Sequence, residues 1–376
     1  MKAYDIIVIG AGPIGSYTAY QLADRGFDVC LLDKKSKAGA DVVCSGIIST
    51  QAFKRYELPF DSILTKLDSF TFISPKLQRL EYSQAEPFAY AVDRRIFDRD
   101  VFKMAKNRGV ETHLRSPVTK IEEYQQYCNV YVNRKKYQSK VVIIATGNNY
   151  RLQTILGMGK VPKFLYGYQV ELSMPVSSRS TALIHLGNDI APGSFGWVIP
   201  IRPNYARVGV LTEYKSRKWL INLIRQRIGV EFGIEQLKAR PIACGLVKKT
   251  VRKRILSVGE AAGQVKTTTG GGVYYGLLCS EIAVDKITRA LRSGFSLADY
   301  ETTWRSVLVA EIRIGLKLRK IAATLKDEQI DNMFSFVKRN RYWIQLLLPR
   351  INFDYHSNML SFCIETFRYV MGLADS

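Results

Sequence analysis

The segment YDIIVIGAGPIGSYTAYQLADRGFDVCLLDK, Tyr4 to Lys34, restricts the start of this 376-residue chain to one supersecondary unit. Tyr4 to Ile9 is an apolar run suited to a buried parallel strand, and Gly10, Gly12 and Gly15 make a Gly-x-Gly-x-x-Gly turn. Ser16 to Arg25 has a helical pattern closed by Gly26, and Val29 to Leu32 reads as a second strand that ends at Asp33. Each glycine has a separate reason. Gly10 turns the chain, Gly12 lets backbone approach a pyrophosphate at the helix N-terminus, and Gly15 lets the helix pack on the strand. Asp33 stands where a carboxylate accepts from both ribose hydroxyls of an adenosine, which disfavours a 2′-phosphate and leaves NAD or FAD as the ligand.

A nicotinamide dehydrogenase continues with further βαβ repeats, and this chain does not. DSFTFISPKLQRLEYSQAEPFAYAV alternates apolar and polar residues and predicts short antiparallel strands. Helical pattern returns at DRRIFDRDVFKMAKNRGV, and the hairpin-like CNVYVNRKKYQSKVVIIATG ends in a buried strand that runs into Ala145-Thr146-Gly147. Farther on, VGEAAGQVKTTTGGGVYYG sets three threonines against three glycines, a density of bare backbone that predicts positive φ or close approach of another group.

The six cysteines are widely spaced and there are three histidines, so neither a disulfide framework nor a metal site is expected. No apolar stretch reaches the roughly 20 residues of a membrane span, and a cytoplasmic location is expected. The net charge of +22 points to an anionic partner. Between Arg202 and Arg254 there are 14 Lys or Arg against three acids. This block contains SRKWLINLIRQRIG, read as a helix with Trp219, Leu220, Leu223, Ile224 and Ile228 on one side and Lys218, Asn222 and Arg225 on the other, which either docks in the core with a solvated basic face or faces a membrane. With no recognition motif beside the charge, nucleic acid is not expected.

The whole pattern resembles the two-domain flavoproteins of the p-hydroxybenzoate hydroxylase fold and, within it, the geranylgeranyl reductase family, up to about residue 295. VVCSGIIS is similar to the reductases' Cys-x-Gly motif, and SFGWVIPIRPNYARVGV to their aromatic-x-Trp-x-Phe-Pro…Val-Gly signature, with Ile199 where Phe is common. QVKTTTGGGVYYGL resembles their Thr-Gly-Gly-Gly-Ile loop, and Val258 to Gly263 their Gly-Asp motif, with Glu260 for the usual Asp. The resemblance implies an α/β fold with an α+β substrate domain. Residues 1–55, 91–150 and 250–295 would form a Rossmann-like FAD-binding domain assembled from separated segments. Residues 56–90 and 151–249 would form an antiparallel-sheet substrate domain, and 296–376 a C-terminal helical region.

The resemblance also implies the site. FAD would be bound by Gly10, Gly12, Gly15 and Asp33, by Cys44 and Gly46 beside the flavin ring, and by Arg94, Ala145 and Gly147. Gly259, Glu260, Gly263, Gly271 and Gly272 would complete the cofactor set. Cys44 and Gly270 to Gly272 would serve catalysis, and Phe195, Trp197 and Tyr274 would line the substrate. The implied reaction is reduction of C=C bonds in polyprenyl chains. It would act on a prenylated lipid or prenyl diphosphate at an anionic membrane surface, with reduced ferredoxin or an NAD(P)H-linked reductant as electron donor, in a peripheral monomer. A flavin monooxygenase of the same fold and a non-catalytic prenyl-binding protein are the alternatives.

In the last region, Ser296 is a plausible N-cap, and IRIGLKLRKI alternates with period two although its flanks favour helix. Phe336, Trp343, Leu346 to Leu348, Phe353, Phe362 and Phe367 would cover the substrate tunnel or pack as core.

Overall fold

The computed structural model describes residues 2–214, 217–340 and 352–355. Strand β1 (Ala3–Ile9), helix α1 (Pro13–Asp24) and strand β2 (Val29–Leu32) form the expected βαβ unit. The chain continues through β3 (Ile47–Ser49), α2 (Thr50–Arg55), β4 (Ile63–Leu67), β5 (Ser69–Ile73), β6 (Arg79–Ser83) and β7 (Ala89–Val92). It then returns to the first layer with α3 (Arg94–Asn107), β8 (Glu111–His113) and the three strands β9 (Val118–Glu123), β10 (Cys128–Val132) and β11 (Lys135–Ile144). A short α4 (Arg151–Ile155) leads to β12 (Lys163–Ser173), β13 (Thr181–His185), β14 (Phe195–Arg202), β15 (Tyr205–Thr212), α5 (Lys218–Leu223) and β16 (Lys238–Cys244). The described elements end with β17 (Val251–Arg252), β18 (Ile255–Ser257), α6 (Val273–Ser293), α7 (Ala298–Ala322) and α8 (Asp327–Arg339).

Three sheets result. The first has eight strands in the order β17-β18-β11-β1-β2-β8, with β10 paired to β11 and β9 paired to β10. Its centre is parallel: β11, β1 and β2 run side by side with Ile6 opposite Val141 and Val29. These strands are buried on both faces, as their continuous Ile and Val runs require. The second sheet has seven strands, β16-β12-β15-β14-β13-β5-β6, antiparallel except where β13 meets β5. The third joins β3, β7 and β4. Strand β7 joins Ala89–Ala91 to Ile47–Ser49 across position 90/91.

Helix packing follows from small residues. A Cβ on Gly276 of α6 would lie 2.6 Å from the Ile14 side chain, so the bare backbone lets α6 settle onto α1. The buried hydroxyls of Thr18 and Ser280 bond across that contact at 2.7 Å, which removes the desolvation cost of either alone. Helix α3 starts at Asp93, whose carboxylate accepts from the Arg95 and Ile96 amides. The basic segment after Arg217 is helical and docks Leu220, Leu223 and Ile224 in the core, widening to a π-turn over Ile224–Ile228 before Gly229. The segment with period-two alternation is helix, within α7, and the Ser296 hydroxyl accepts from the Ala298 amide at its start. Of the aromatic and leucine residues expected in the tail, Phe336 and Phe353 are described, whereas Trp343, Leu346 to Leu348, Phe362 and Phe367 lie outside the described residues.

Candidate functional site

The dinucleotide motif closes against the end of β11. Gly10 has φ +112°, and a Cβ there would stand 2.4 Å from the Ala145 carbonyl oxygen; at Gly15 it would stand 1.9 Å from the Gly10 oxygen. These two glycines and Ala145 are fixed by contacts within the chain. Gly12 is different, with nothing within 4 Å of a Cβ, and it begins α1 without a side-chain cap. The space beside Gly12 is open and the first turn carries no side-chain cap, the arrangement that receives a phosphate. Asp33 is oriented beside them: Oδ2 accepts from the Ala11 amide at 2.6 Å and Oδ1 from the Lys35 amide at 2.7 Å. Each oxygen keeps a further lone pair for a hydroxyl donor.

Gly147, Gly259 and Gly263 all have φ between +62° and +71°, a region that disfavours side chains. Glu260 sits on the turn between β18 and α6, and its backbone carbonyl accepts from the Tyr150 hydroxyl at 2.6 Å. Its carboxylate accepts from the Ala243 amide at 3.0 Å and pairs with the Arg240 guanidinium, both on β16. The side chain of Glu260 thus reaches the second sheet at β16. Its oxygen also lies 3.5 Å from where a Gly147 Cβ would be, so these two residues face each other.

The Cys44 turn lies against α3. The Gly46 amide donates to Cys44 Sγ at 3.4 Å. Arg94 at the head of α3 is half-buried, its side chain 10% exposed, and forks onto Asp98 at 2.8 and 3.1 Å. Burial opposes its charge, but Asp98 and then Cys44 raise the guanidinium above its usual range. Arg94 and Cys44 are therefore neighbours. The five described cysteines are free, and Cys44 alone among them is not buried. Burial pushes Cys30 and Cys128 up to about 12, which leaves those thiols inert.

The three consecutive glycines have three different environments. Gly270 has φ +76° and would place a Cβ 3.3 Å from Ile242; Gly272 caps α6 and would place one 3.3 Å from Val265. Gly271 is exposed, has no positive φ, and meets nothing nearer than 3.6 Å. Helix α7 braces this loop from behind. Thr267 Oγ1 donates to the Ile312 carbonyl at 2.8 Å, Arg319 Nη1 donates to the Thr268 carbonyl at 3.1 Å, and Gly315 leaves room for Thr267 and Thr268. Lys266, also buried, pairs with Asp354 at 2.6 Å and donates to the Phe353 carbonyl at 2.9 Å. Burial lowers its pKa while Asp354 opposes the shift.

An apolar wall connects the parts. Phe195 and Trp197 of β14 have rings 6.1 Å apart, and the Trp197 ring occupies the space above Gly209. They share one cluster with Ile199, Leu211, Ile242 and Phe353, and Ile47 packs against it. Ile242 and Leu211 are the neighbours of Gly270, and Ile47 follows Gly46, so the cluster runs from the glycine loop to the Cys44 turn. Tyr274 lies elsewhere, in the core of the first layer, with its ring 6.5 Å from Tyr56 and 6.0 Å from Tyr355. Sequence reasoning missed Arg207, Lys266, Gly315, Arg319 and Asp354. The available signal was a charge inside an apolar run, as in ARVGVL and GQVKT. Among the described residues, no His, Cys, Asp or Glu cluster can hold a metal ion.

Comparisons with known proteins agree with this assembly. Residues 4–171 match the family model described as pyridine nucleotide-disulphide oxidoreductase. The chain is 29% identical over 357 residues to digeranylgeranylglycerophospholipid reductase 1 of Methanococcoides burtonii, covering 89% of this chain and 88% of that one. It is 28% identical over 351 residues to digeranylgeranylglycerophospholipid reductase of Methanocaldococcus jannaschii, covering 87% and 89%. Among solved structures it is similar to a geranylgeranyl bacteriochlorophyll reductase-like protein of Thermoplasma acidophilum. That match has TM-score 0.86 and 19% identity over 99% of this chain and 100% of that one. The expected fold and the resemblance to geranylgeranyl reductases are both borne out.

Proposed function

We propose that this chain, which shares most of its length with digeranylgeranylglycerophospholipid reductases, is an FAD-dependent reductase that saturates C=C bonds of geranylgeranyl-type chains on a membrane lipid. The observation that carries the reading is the junction just described. One apolar wall touches the glycine loop, the Cys44 turn and Trp197, next to a dinucleotide cradle with uncapped helix amides and a preoriented Asp33.

When bound there and reduced by two electrons from an external donor, FAD would supply the hydride equivalent for one alkene carbon, the other carbon taking a proton. The chain's own residues supply the rest. Gly10, Gly12, Gly15 and Asp33 would hold the adenosine and pyrophosphate, with Ala145, Gly147, Gly259 and Gly263 shaping the path toward the reacting end. Cys44, Gly46 and Arg94 would stand at that end. Glu260, tied to Arg240 and Ala243, would keep the cradle in register with the substrate sheet.

An isolated alkene has no carbonyl to polarise, so the site must orient it tightly and exclude water. Phe195, Trp197, Ile199 and Phe353 offer the apolar surface for that purpose. Gly271 offers open backbone against which flavin and alkene would both lie, and the first amides of α6 would favour negative charge nearby. Cys44 is the candidate to orient the alkene or pass a proton. Net charge +22 supports attraction to an anionic lipid surface, and no described helix is long and apolar enough to cross a membrane. The proposal is of a monomeric, peripheral enzyme at the cytoplasmic membrane face, with reduced ferredoxin or an NAD(P)H-linked reductant as donor.

Anaerobic mixing of the photoreduced holoprotein with a geranylgeranyl lipid tests the reading. The flavin absorbance should return with that lipid and stay bleached with its saturated counterpart; equal behaviour with both would overturn it.

A further inference from the structure

Arg207 is a charge in the middle of an apolar strand, 5% exposed between Ala206 and Val208 on β15. Burying a guanidinium is costly unless each nitrogen finds a partner. Here each does. Nε and Nη2 donate to Glu171 Oε1 at 3.1 and 2.8 Å, the residue directly across on β12. Nη1 leaves the sheet and donates to the Ser45 carbonyl at 2.7 Å and the Val92 carbonyl at 3.3 Å.

Those two carbonyls belong to the Cys44 turn and to the end of β7. The turn and the strand end are already joined, because the Val92 amide donates to the Gly46 carbonyl at 2.9 Å. Gly46 itself is bare for a reason visible in this contact. Its φ is +77°, and a Cβ there would stand 2.5 Å from Arg207 Nη1 and 2.6 Å from the Val92 oxygen. The glycine of the Cys-x-Gly motif thus makes room for the arginine. The thiol interacts with Arg94, which Asp98 holds in place. Ser45, between the cysteine and the glycine, has its carbonyl direction set from the substrate sheet.

We propose that Arg207 is a positioning residue: anchored by Glu171, it fixes the Cys44-Ser45-Gly46 turn and so sets where the Cys44 thiol stands in the site. The proposal rests on the reading of that turn as part of the reductase site. Arg207 touches neither cofactor nor substrate in this role, and its effect passes through the Ser45 and Val92 carbonyls.

The test uses the FAD-loaded protein with Arg207→Met and Arg207→Lys. The rate of Cys44 alkylation by iodoacetamide is followed by peptide mass spectrometry, beside kcat and KM for a geranylgeranyl lipid. In the Met variant the loosened turn should alkylate several-fold faster, and kcat should fall by up to about 100-fold with KM little changed, as for an ångström-scale misplacement. Lysine, able to reach one carbonyl, should recover part of both. An unchanged alkylation rate in a folded, flavin-loaded Met variant overturns the proposal, whatever happens to activity. If that variant does not fold, Glu171→Ala decides: faster alkylation supports the anchor, and an unchanged rate overturns it. Alkylation is read without substrate, so a chain that proved unable to reduce prenyl lipids would still report on Arg207.

Discussion

Gly271→Val separates what the fold requires of the triple glycine from what a ligand requires. Gly270 needs its glycine for a left-handed conformation, worth about 1 kcal/mol, and Gly272 is close to Val265. Gly271 needs it for neither. It is exposed, its φ is ordinary, and the nearest atoms to a Cβ are Thr269 Oγ1 at 3.6 Å and Lys266 Cδ at 3.8 Å. Its carbonyl accepts from the Lys266 amide at 2.9 Å, a bond the substitution leaves alone. The folded protein should therefore tolerate valine within about 1 kcal/mol, since a less flexible unfolded chain offsets part of any cost. If flavin and alkene both lie on this backbone, an isopropyl group displaces them by an ångström or more. A shift of that size costs about 100-fold in rate, or roughly 2.7 kcal/mol of barrier. The assays are thermal unfolding, FAD affinity by fluorescence, and anaerobic single-turnover reduction of a geranylgeranyl lipid. Expected are an unfolding temperature within a few degrees of wild type, adenosine-end binding largely retained, reduction nearly abolished, and Gly271→Ala intermediate. Normal reduction by the valine variant would refute the placement of the reacting groups and leave the triple glycine as a turn.

Asp33→Asn should weaken FAD binding by about 10- to 100-fold, because an amide NH2 cannot accept from both the Ala11 and Lys35 amides and one is left unpaired; titration of the apoprotein with FAD measures it. His185 is 4% exposed with neither ring nitrogen bonded, and burial, with Arg227 and Arg79 nearby, lowers its pKa to about 4. Between pH 6.5 and about 4 the unfolded chain takes a proton that the folded one refuses, so stability falls as pH falls through that window, by up to about 3 kcal/mol. Denaturant titrations of His185→Phe should show a shallower loss over the same range, and an identical pH profile would count against a neutral buried imidazole. Anionic vesicles should bind the protein at low ionic strength and release it as salt shortens the screening length to about 10 Å at 0.1 M; binding that is equal on neutral vesicles would contradict an electrostatic attachment.

Much of the dinucleotide half was legible because its signals are local. Strand, glycine turn, helix and terminal acid fall within one stretch from Tyr4 to Lys34, and each has its own periodicity. The brace behind the glycine loop was not. The buried face of α7 is Tyr300, Trp304, Leu308, Ile312, Gly315 and Arg319, a helical spacing in which the last two positions are a glycine and an arginine. Scored by hydropathy alone, that end shows only the alternation of IRIGLKL and mimics a strand. Gly315 is small because Thr267 and Thr268 press against it, and Arg319 is charged because it reaches the Thr268 carbonyl. Pairings such as Lys266 with Asp354, 88 residues apart, and Arg207 with Ser45 follow from how the sheets meet. No periodic pattern encodes them. Tyr274 shows the converse: it follows the glycine loop in sequence, yet its ring packs in the first layer's core.

The most direct test of the central claim is mass spectrometry of a geranylgeranyl lipid before and after anaerobic exposure to the reduced, FAD-loaded protein. Expected is a gain of two hydrogens for each double bond reduced, dependent on FAD and lost with Gly271→Val. A lipid recovered unchanged from protein that binds FAD and is fully reduced would contradict it.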